Sequence, residues 1–117
     1  MMAPTMVMRD GAVELALGSA GSNRIRSAIL QVILGVIGGE LDLVTAVEAP
    51  RVHWEDGVVY AEPGIAAEAL EGEGRTVSRF RGLNVFFGGV QAVRRDPASG
   101  ALAGAGDPRR GGAVVTA

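Results

Sequence analysis

Leu17-Gly18-Ser19-Ala20-Gly21-Ser22-Asn23-Arg24-Ile25 is the stretch at which the chain changes period. Upstream, residues 6–17 read as two short strands around an Arg9-Asp10-Gly11 turn, because Asp-Gly tolerates the positive φ that a tight hairpin needs. Downstream, Ile25, Ile29, Val32, Ile33, Val36 and Ile37 mark one face of a helix over 24–37, and Leu30 and Leu34 mark a second. Only a narrow polar stripe remains, so this helix expects cover on both sides. The small and polar residues of 18–23 then form a strand-to-helix junction. Backbone N–H groups exposed at such a junction, reinforced by the helix dipole, suit an anion or an oxyanion. A tight turn with Ser22 or Asn23 as an ordinary N-cap fits the same residues.

Gly38-Gly39 ends the helix, and Asp42 is placed to cap a short second helix over 43–49, which Pro50 terminates. Residues 51–54 and 58–61 alternate around Glu55-Asp56-Gly57, a second hairpin signal. Residues 65–71 read as a surface helix stopped by Gly72 and Gly74. Strands are expected over 76–80, 84–94 and 101–105, the last two joined through Asp96-Pro97-Ala98-Ser99-Gly100. Seven strands and three helices with many antiparallel hairpins, in the order strand-strand-helix-helix-strand-strand-helix-strand-strand-strand, make an α+β fold rather than a doubly wound parallel sheet.

A chain of 117 residues and 12.0 kDa has room for one domain. Eleven basic residues, all Arg, against thirteen acidic ones leave a net charge of −2, which argues against nucleic acid as a partner. The absence of Cys removes disulfides, thiolate metal sites and a thiol nucleophile. The longest apolar stretch, 25–37, is interrupted by Arg26, Ser27 and Gln31 and falls short of the ~20 residues of a membrane span. The first residues lack the basic start and apolar core of a signal peptide.

The junction lacks the Gly-Lys-Ser/Thr ending of a Walker loop and the spacing of a dinucleotide fingerprint. His53 is the only His, with no second imidazole or thiol to complete a common zinc site, and reads as a strand histidine packed by Trp54. Ser19, Ser22 and Ser27 are candidate nucleophiles with His53 as base, but no spacing in the sequence brings them together and no nucleophile-elbow motif is present. Asp107-Pro108-Arg109-Arg110-Gly111-Gly112 combines a carboxylate with two guanidiniums. It suits an internal ion-pair lock better than an anion contact.

Four strings, Met2-Ala3-Pro4-Thr5, Leu17 to Ile25, Ala46-Val47-Glu48-Ala49-Pro50-Arg51-Val52-His53, and Gly106 to Gly112, together resemble the γ-glutamyltransferases (glutathione hydrolases) in order and spacing. The resemblance runs over essentially the whole chain and matches the C-terminal part of the family's small catalytic subunit. It implies part of an N-terminal-nucleophile hydrolase, a four-layer αββα sandwich. In that family a precursor cleaves itself, and the new N-terminal Thr attacks the γ-glutamyl amide of glutathione or a related donor without a cofactor or metal. The free α-amine serves as base and paired backbone N–H groups hold the oxyanion.

Residue by residue, the family's adjacent oxyanion-hole glycines fall on Gly21 and Ser22, with Ala20 in place of a proline. The catalytic Thr, the groups gripping the glutamyl α-amino and α-carboxyl groups, and a Ser-Ser pair whose second member is matched by Met1 belong to sequence before this chain. The chain is therefore expected to be roughly a fifth of a precursor, inactive alone, with the large subunit and the N-terminal part of the small subunit as partners. Self-association is expected where the missing layers leave an apolar patch. Bacterial relatives are often periplasmic or secreted, and any export signal would precede this segment. Two other readings fit the same residues: a noncatalytic anion- or small-molecule-binding module, and a relative acting on β-lactam side-chain amides or poly-γ-glutamate.

Overall fold

The computed structural model describes residues 2–72 and 74–117. The elements run β1 (Thr5–Arg9), β2 (Ala12–Ala20), α1 (Ile25–Ile33), α2 (Leu43–Glu48), β3 (Val52–Glu55), β4 (Val58–Ala61), α3 (Ala67–Leu70), β5 (Thr76–Arg79), β6 (Gly89–Arg95) and β7 (Leu102–Gly106). Their order is the one expected. Both Asp-Gly turns take the left-handed backbone at two successive residues, with φ of 50° and 80° at Asp10 and Gly11 and 50° and 79° at Asp56 and Gly57. That geometry matches the twist of the strands it joins.

Two sheets result. The larger has the order β1-β2-β6-β7, antiparallel throughout; the smaller has the order β3-β4-β5. One pairing departs from the antiparallel expectation: β4 and β5 are parallel, because α3 lies between them and returns the chain in the same sense. α1 and α2 pack on one face of the larger sheet. The main core is built there from Leu15 and Leu17 of β2, Ile25, Ala28, Ile29 and Val32 of α1, Val47 of α2 and Val90 of β6, all buried. A small satellite of Val59, Ala61 and Leu70 lies under α3.

Several expectations need correction. The first helix is α only to Ile33; Leu34–Gly38 is a π turn, closed by Gly39 N–H donating to the Leu34 carbonyl at 2.8 Å. Its Gly35 lies against α2, where a Cβ would come within 3.2 Å of Ala46 Cβ. The helix is also covered on one side only, since Leu30 and Leu34 are 56% and 57% exposed. The surface helix of 65–71 contracts to Ala67–Leu70, and the strand expected from Asn84 begins at Gly89, after a 3₁₀ turn over Val85–Phe87 capped by Asn84.

The second face of the larger sheet is covered only at its β7 edge, where Val114 of the C-terminal tail lies against Gly104. Met6, Ala16, Val93 and Gly104 stand in register across the strands, and Met6 and Val93 are 68% and 50% exposed. Among the described residues no helix is long and apolar enough to cross a membrane.

Candidate active site

β2 ends at Ala20, paired with Gly89, and the chain turns into α1 through Gly21. Gly21 has φ +132°, a backbone that L side chains rarely adopt, so the turn requires glycine at this position. The Ser22 carbonyl accepts from Ile25 N–H at 3.1 Å and starts the helix. Neither Ser22 nor Asn23 is the N-cap: that position is Arg24, with no side-chain bond to the helix amides. Among the described residues, the Gly21 and Ser22 N–H groups have no acceptor. A cavity of about 510 Å³ lies beside them, lined by Ala3, Gly21, Ser22, Asn23, Ile25 and Arg26. Ala3 reaches it because Ser19 N–H donates to the Met2 carbonyl at 3.1 Å, which lays the start of the chain along the end of β2.

The turn is braced from behind. Ser19 Oγ is fully buried, accepts from Gly89 N–H at 3.2 Å and donates to the Ala20 carbonyl at 3.0 Å. Gly88, at φ +83°, clears space for it: a Cβ there would lie 2.7 Å from Ser19 Oγ. Arg24 Nε donates to the Phe86 carbonyl at 3.1 Å while its guanidinium covers the Phe86 ring at 4.4 Å. Asn23 Nδ2 donates to Glu55 Oε1 at 2.8 Å. That bond, aided by the charge of Arg24, holds the Glu55 carboxyl below its ordinary range.

His53 is not packed by Trp54. The two project to opposite faces of β3; Trp54 is 66% exposed, and the buried imidazole faces α1. There His53 Nδ1 lies 2.7 Å from Ser27 Oγ, and Nε2 lies 3.6 Å from Glu55 Oε2. The structure thus joins a serine to the histidine that the sequence left apart. Burial pushes the imidazole pKa below its ordinary value. Nε2 is beyond hydrogen-bond reach of Glu55, and of the two neutral tautomers the one protonated at Nε2 is favoured by the field of that carboxylate. Nδ1 is then free to accept from the Ser27 hydroxyl.

Asp107 and Arg109 form the lock expected of them, with two partners the sequence did not single out. Arg51 Nη2 meets Asp107 Oδ2 at 2.7 Å, and Arg109 Nε and Nη2 meet Glu62 Oε1 and Oε2 at 2.8 and 2.5 Å. Asp107 also accepts from Val90 N–H, and the guanidiniums of Arg51 and Arg109 donate to the Val47 carbonyl at the end of α2. Two cations and two anions are buried together, nearly all of their polar atoms paired. Arg110 stands outside the network, its stem packed over Gly89. The only local hints of the other two partners were Arg51 directly after a helix-ending proline and Glu62 at the head of a Pro-Gly turn. No group of three or more His, Cys, Asp or Glu is arranged to hold a metal among the described residues.

The gamma-glutamyltranspeptidase family model matches residues 1–117. The chain belongs to the gamma-glutamyltranspeptidase family. It is 38% identical over 117 residues to the Acylase ACY 1 proenzyme of Pseudomonas sp. (strain SE83), covering 97% of this chain and 20% of the acylase. It is also 38% identical over 116 residues to the glutathione hydrolase proenzyme of Pseudomonas aeruginosa, covering 92% of this chain and 20% of the relative. The solved gamma-glutamyltranspeptidase from Pseudomonas nitroreducens in complex with L-DON superposes with a TM-score of 0.82 at 35% identity, over 99% of this chain and 62% of that one. This family member therefore spans about a fifth of the curated relatives it matches. Its fold is part of an N-terminal-nucleophile hydrolase sandwich, α+β with mostly antiparallel strands.

Proposed function

We propose that this chain is the C-terminal portion of a γ-glutamyltransferase-like catalytic subunit, and that the Gly21 and Ser22 N–H groups are its oxyanion hole. The observation that carries the reading is the pair of adjacent amides, without acceptors among the described residues, beside a cavity of about 510 Å³ at the head of α1. The nucleophile is an N-terminal Thr in sequence preceding this chain. Its hydroxyl attacks the γ-glutamyl carbonyl of a donor such as glutathione, and its own α-amine takes the proton. Negative charge then develops on the carbonyl oxygen, where two preorganised donors lower the barrier. Collapse expels the amine, and water or an amino acid releases the acyl group. The remainder of the precursor, the large subunit and the N-terminal part of the small one, is the partner, and its layers cover the exposed faces of the sheet and of α1.

The likeness to the ACY 1 acylase supports a second choice of substrate for the same chemistry, a side-chain amide in place of the γ-glutamyl amide. Ser22 places a side chain, where the family has a glycine, among the residues lining the cavity, and this side chain bears on the choice of donor or acceptor.

The test is hydrolysis of γ-glutamyl-p-nitroanilide by the chain alone and by the chain joined to a Thr-initiated companion. The companion comes from the chain's own reading frame or from the Pseudomonas aeruginosa proenzyme. Release of nitroaniline only with the companion is expected; release by the 117-residue chain alone would overturn the reading.

A further inference from the structure

Asn23, in the turn before α1, and Ser27 and Gln31 on the helix itself stand four residues apart, and each meets β3. Gln31 Nε2 donates to the Val52 carbonyl at 2.8 Å while its Oε1 accepts from Val52 N–H at 3.0 Å, so one side-chain amide bonds both backbone groups of a strand residue. One turn earlier, Ser27 Oγ meets His53 Nδ1 at 2.7 Å. One turn earlier again, at the residue after the Gly21-Ser22 pair, Asn23 Nδ2 meets Glu55 Oε1 at 2.8 Å. The strand and the helix run past one another with three polar rungs between them.

A helix packed only by apolar side chains can slide or rotate by a fraction of a turn at small cost, whereas directional bonds fix its axial position. Nothing else caps the start of α1: Arg24, its N-cap, makes no side-chain bond to the helix amides. With Ser19 bracing the strand side of the turn and Arg24 anchored on Phe86, the Asn23 rung ties the residue directly after Gly21-Ser22 to β3. Glu55 suits this role because its other oxygen, Oε2, lies 3.9 Å from Arg24 Nη1 and 3.6 Å from His53 Nε2, which leaves Oε1 to Asn23.

We propose that Glu55, acting through Asn23, is a positioning residue for the Gly21 and Ser22 amides. This rests on the oxyanion-hole reading above. Glu55 touches no reacting atom; it fixes the donors at the place where the oxyanion forms, and small misplacements of such donors lower the rate steeply.

The experiment is steady-state kinetics of the chain joined to its Thr-bearing companion, with γ-glutamyl-p-nitroanilide as substrate. Glu55→Ala is expected to lower kcat roughly tenfold with KM little changed, the pattern of a loss confined to the transition state. Glu55→Gln, which keeps an oxygen for Asn23 Nδ2, restores most of that loss. Asn23→Ala lowers kcat by a similar factor, and the double variant is no worse than Glu55→Ala, because each variant breaks the Asn23–Glu55 bond through which Glu55 acts.

Unchanged kcat in Glu55→Ala, a loss in Glu55→Gln as large as in Glu55→Ala, or additive losses in the double variant would each overturn the proposal. Ser22→Pro separates the two readings. If it abolishes turnover while Glu55→Ala leaves turnover intact, the positioning role alone fails. If Ser22→Pro turns over normally, the oxyanion reading fails and takes the positioning role with it.

Discussion

Arg109 grips Glu62 through two parallel bonds, Nε to Oε1 at 2.8 Å and Nη2 to Oε2 at 2.5 Å, with both side chains fully buried. The pair joins the 3₁₀ turn after β7 to the end of β4, and through Asp107 and Arg51 to the starts of β6 and β3. Removing one partner strands a charge in the interior. Arg109→Ala and Glu62→Ala are each expected to destabilise the fold by about 3–5 kcal/mol, read from urea unfolding monitored by circular dichroism. Arg109→Lys keeps the charge but not the fork, and is expected to lie between wild type and Arg109→Ala.

His53 makes stability depend on pH. Its pKa is lowered in the fold, chiefly by burial, so between its ordinary value of 6.5 and its folded value the unfolded chain binds the extra proton. Stability from this group is therefore full above pH 6.5 and lost as pH falls through the folded pKa. The thermal midpoint of the chain is expected to drop on going from pH 7 toward 5, and His53→Gln, which does not titrate, is expected to flatten that part of the profile. Parallel curves for the two proteins would assign the slope to other groups.

The second sheet face gives the isolated chain a surface for association. Met6 and Val93 are exposed on either side of the half-buried Ala16, and only the tail at Val114 lies beside this row. Sedimentation velocity is expected to show a coefficient that rises with concentration for the unmodified chain and stays constant for Val93→Arg. A concentration-independent monomer before substitution would contradict this.

The elements specified by a few neighbouring residues were legible in the sequence. Asp10-Gly11 and Asp56-Gly57 fixed two hairpins by φ alone, and Asp42 caps α2 by accepting from Thr45 N–H at 2.9 Å. The Gly21-Ser22 junction was legible as a change from strand to helical period, and both residues line a cavity.

What escaped was set by residues far apart in the chain. A narrow polar stripe on the first helix was visible, but the alignment of Ser27 and Gln31 with Asn23 of the junction was not, because their partner β3 lies 21 to 32 positions away. No local pattern ties Arg109 to Glu62 across 47 positions, or Asp107 to Arg51 across 56. The π turn lies where Gly35 packs closely on Ala46 of α2, and the parallel β4–β5 pairing follows the path of α3; both involve neighbours that local period does not report.

The Ser22 amide offers the most direct test, because a backbone donor is removed by proline and kept by glycine. In the chain joined to its Thr-bearing companion, Ser22→Pro is expected to lower kcat for γ-glutamyl-p-nitroanilide by roughly 10²–10³-fold, while Ser22→Gly retains turnover. Both variants should keep the far-ultraviolet circular dichroism of the parent. Undiminished turnover in Ser22→Pro, with its fold intact, would contradict the assignment of this turn as the oxyanion hole.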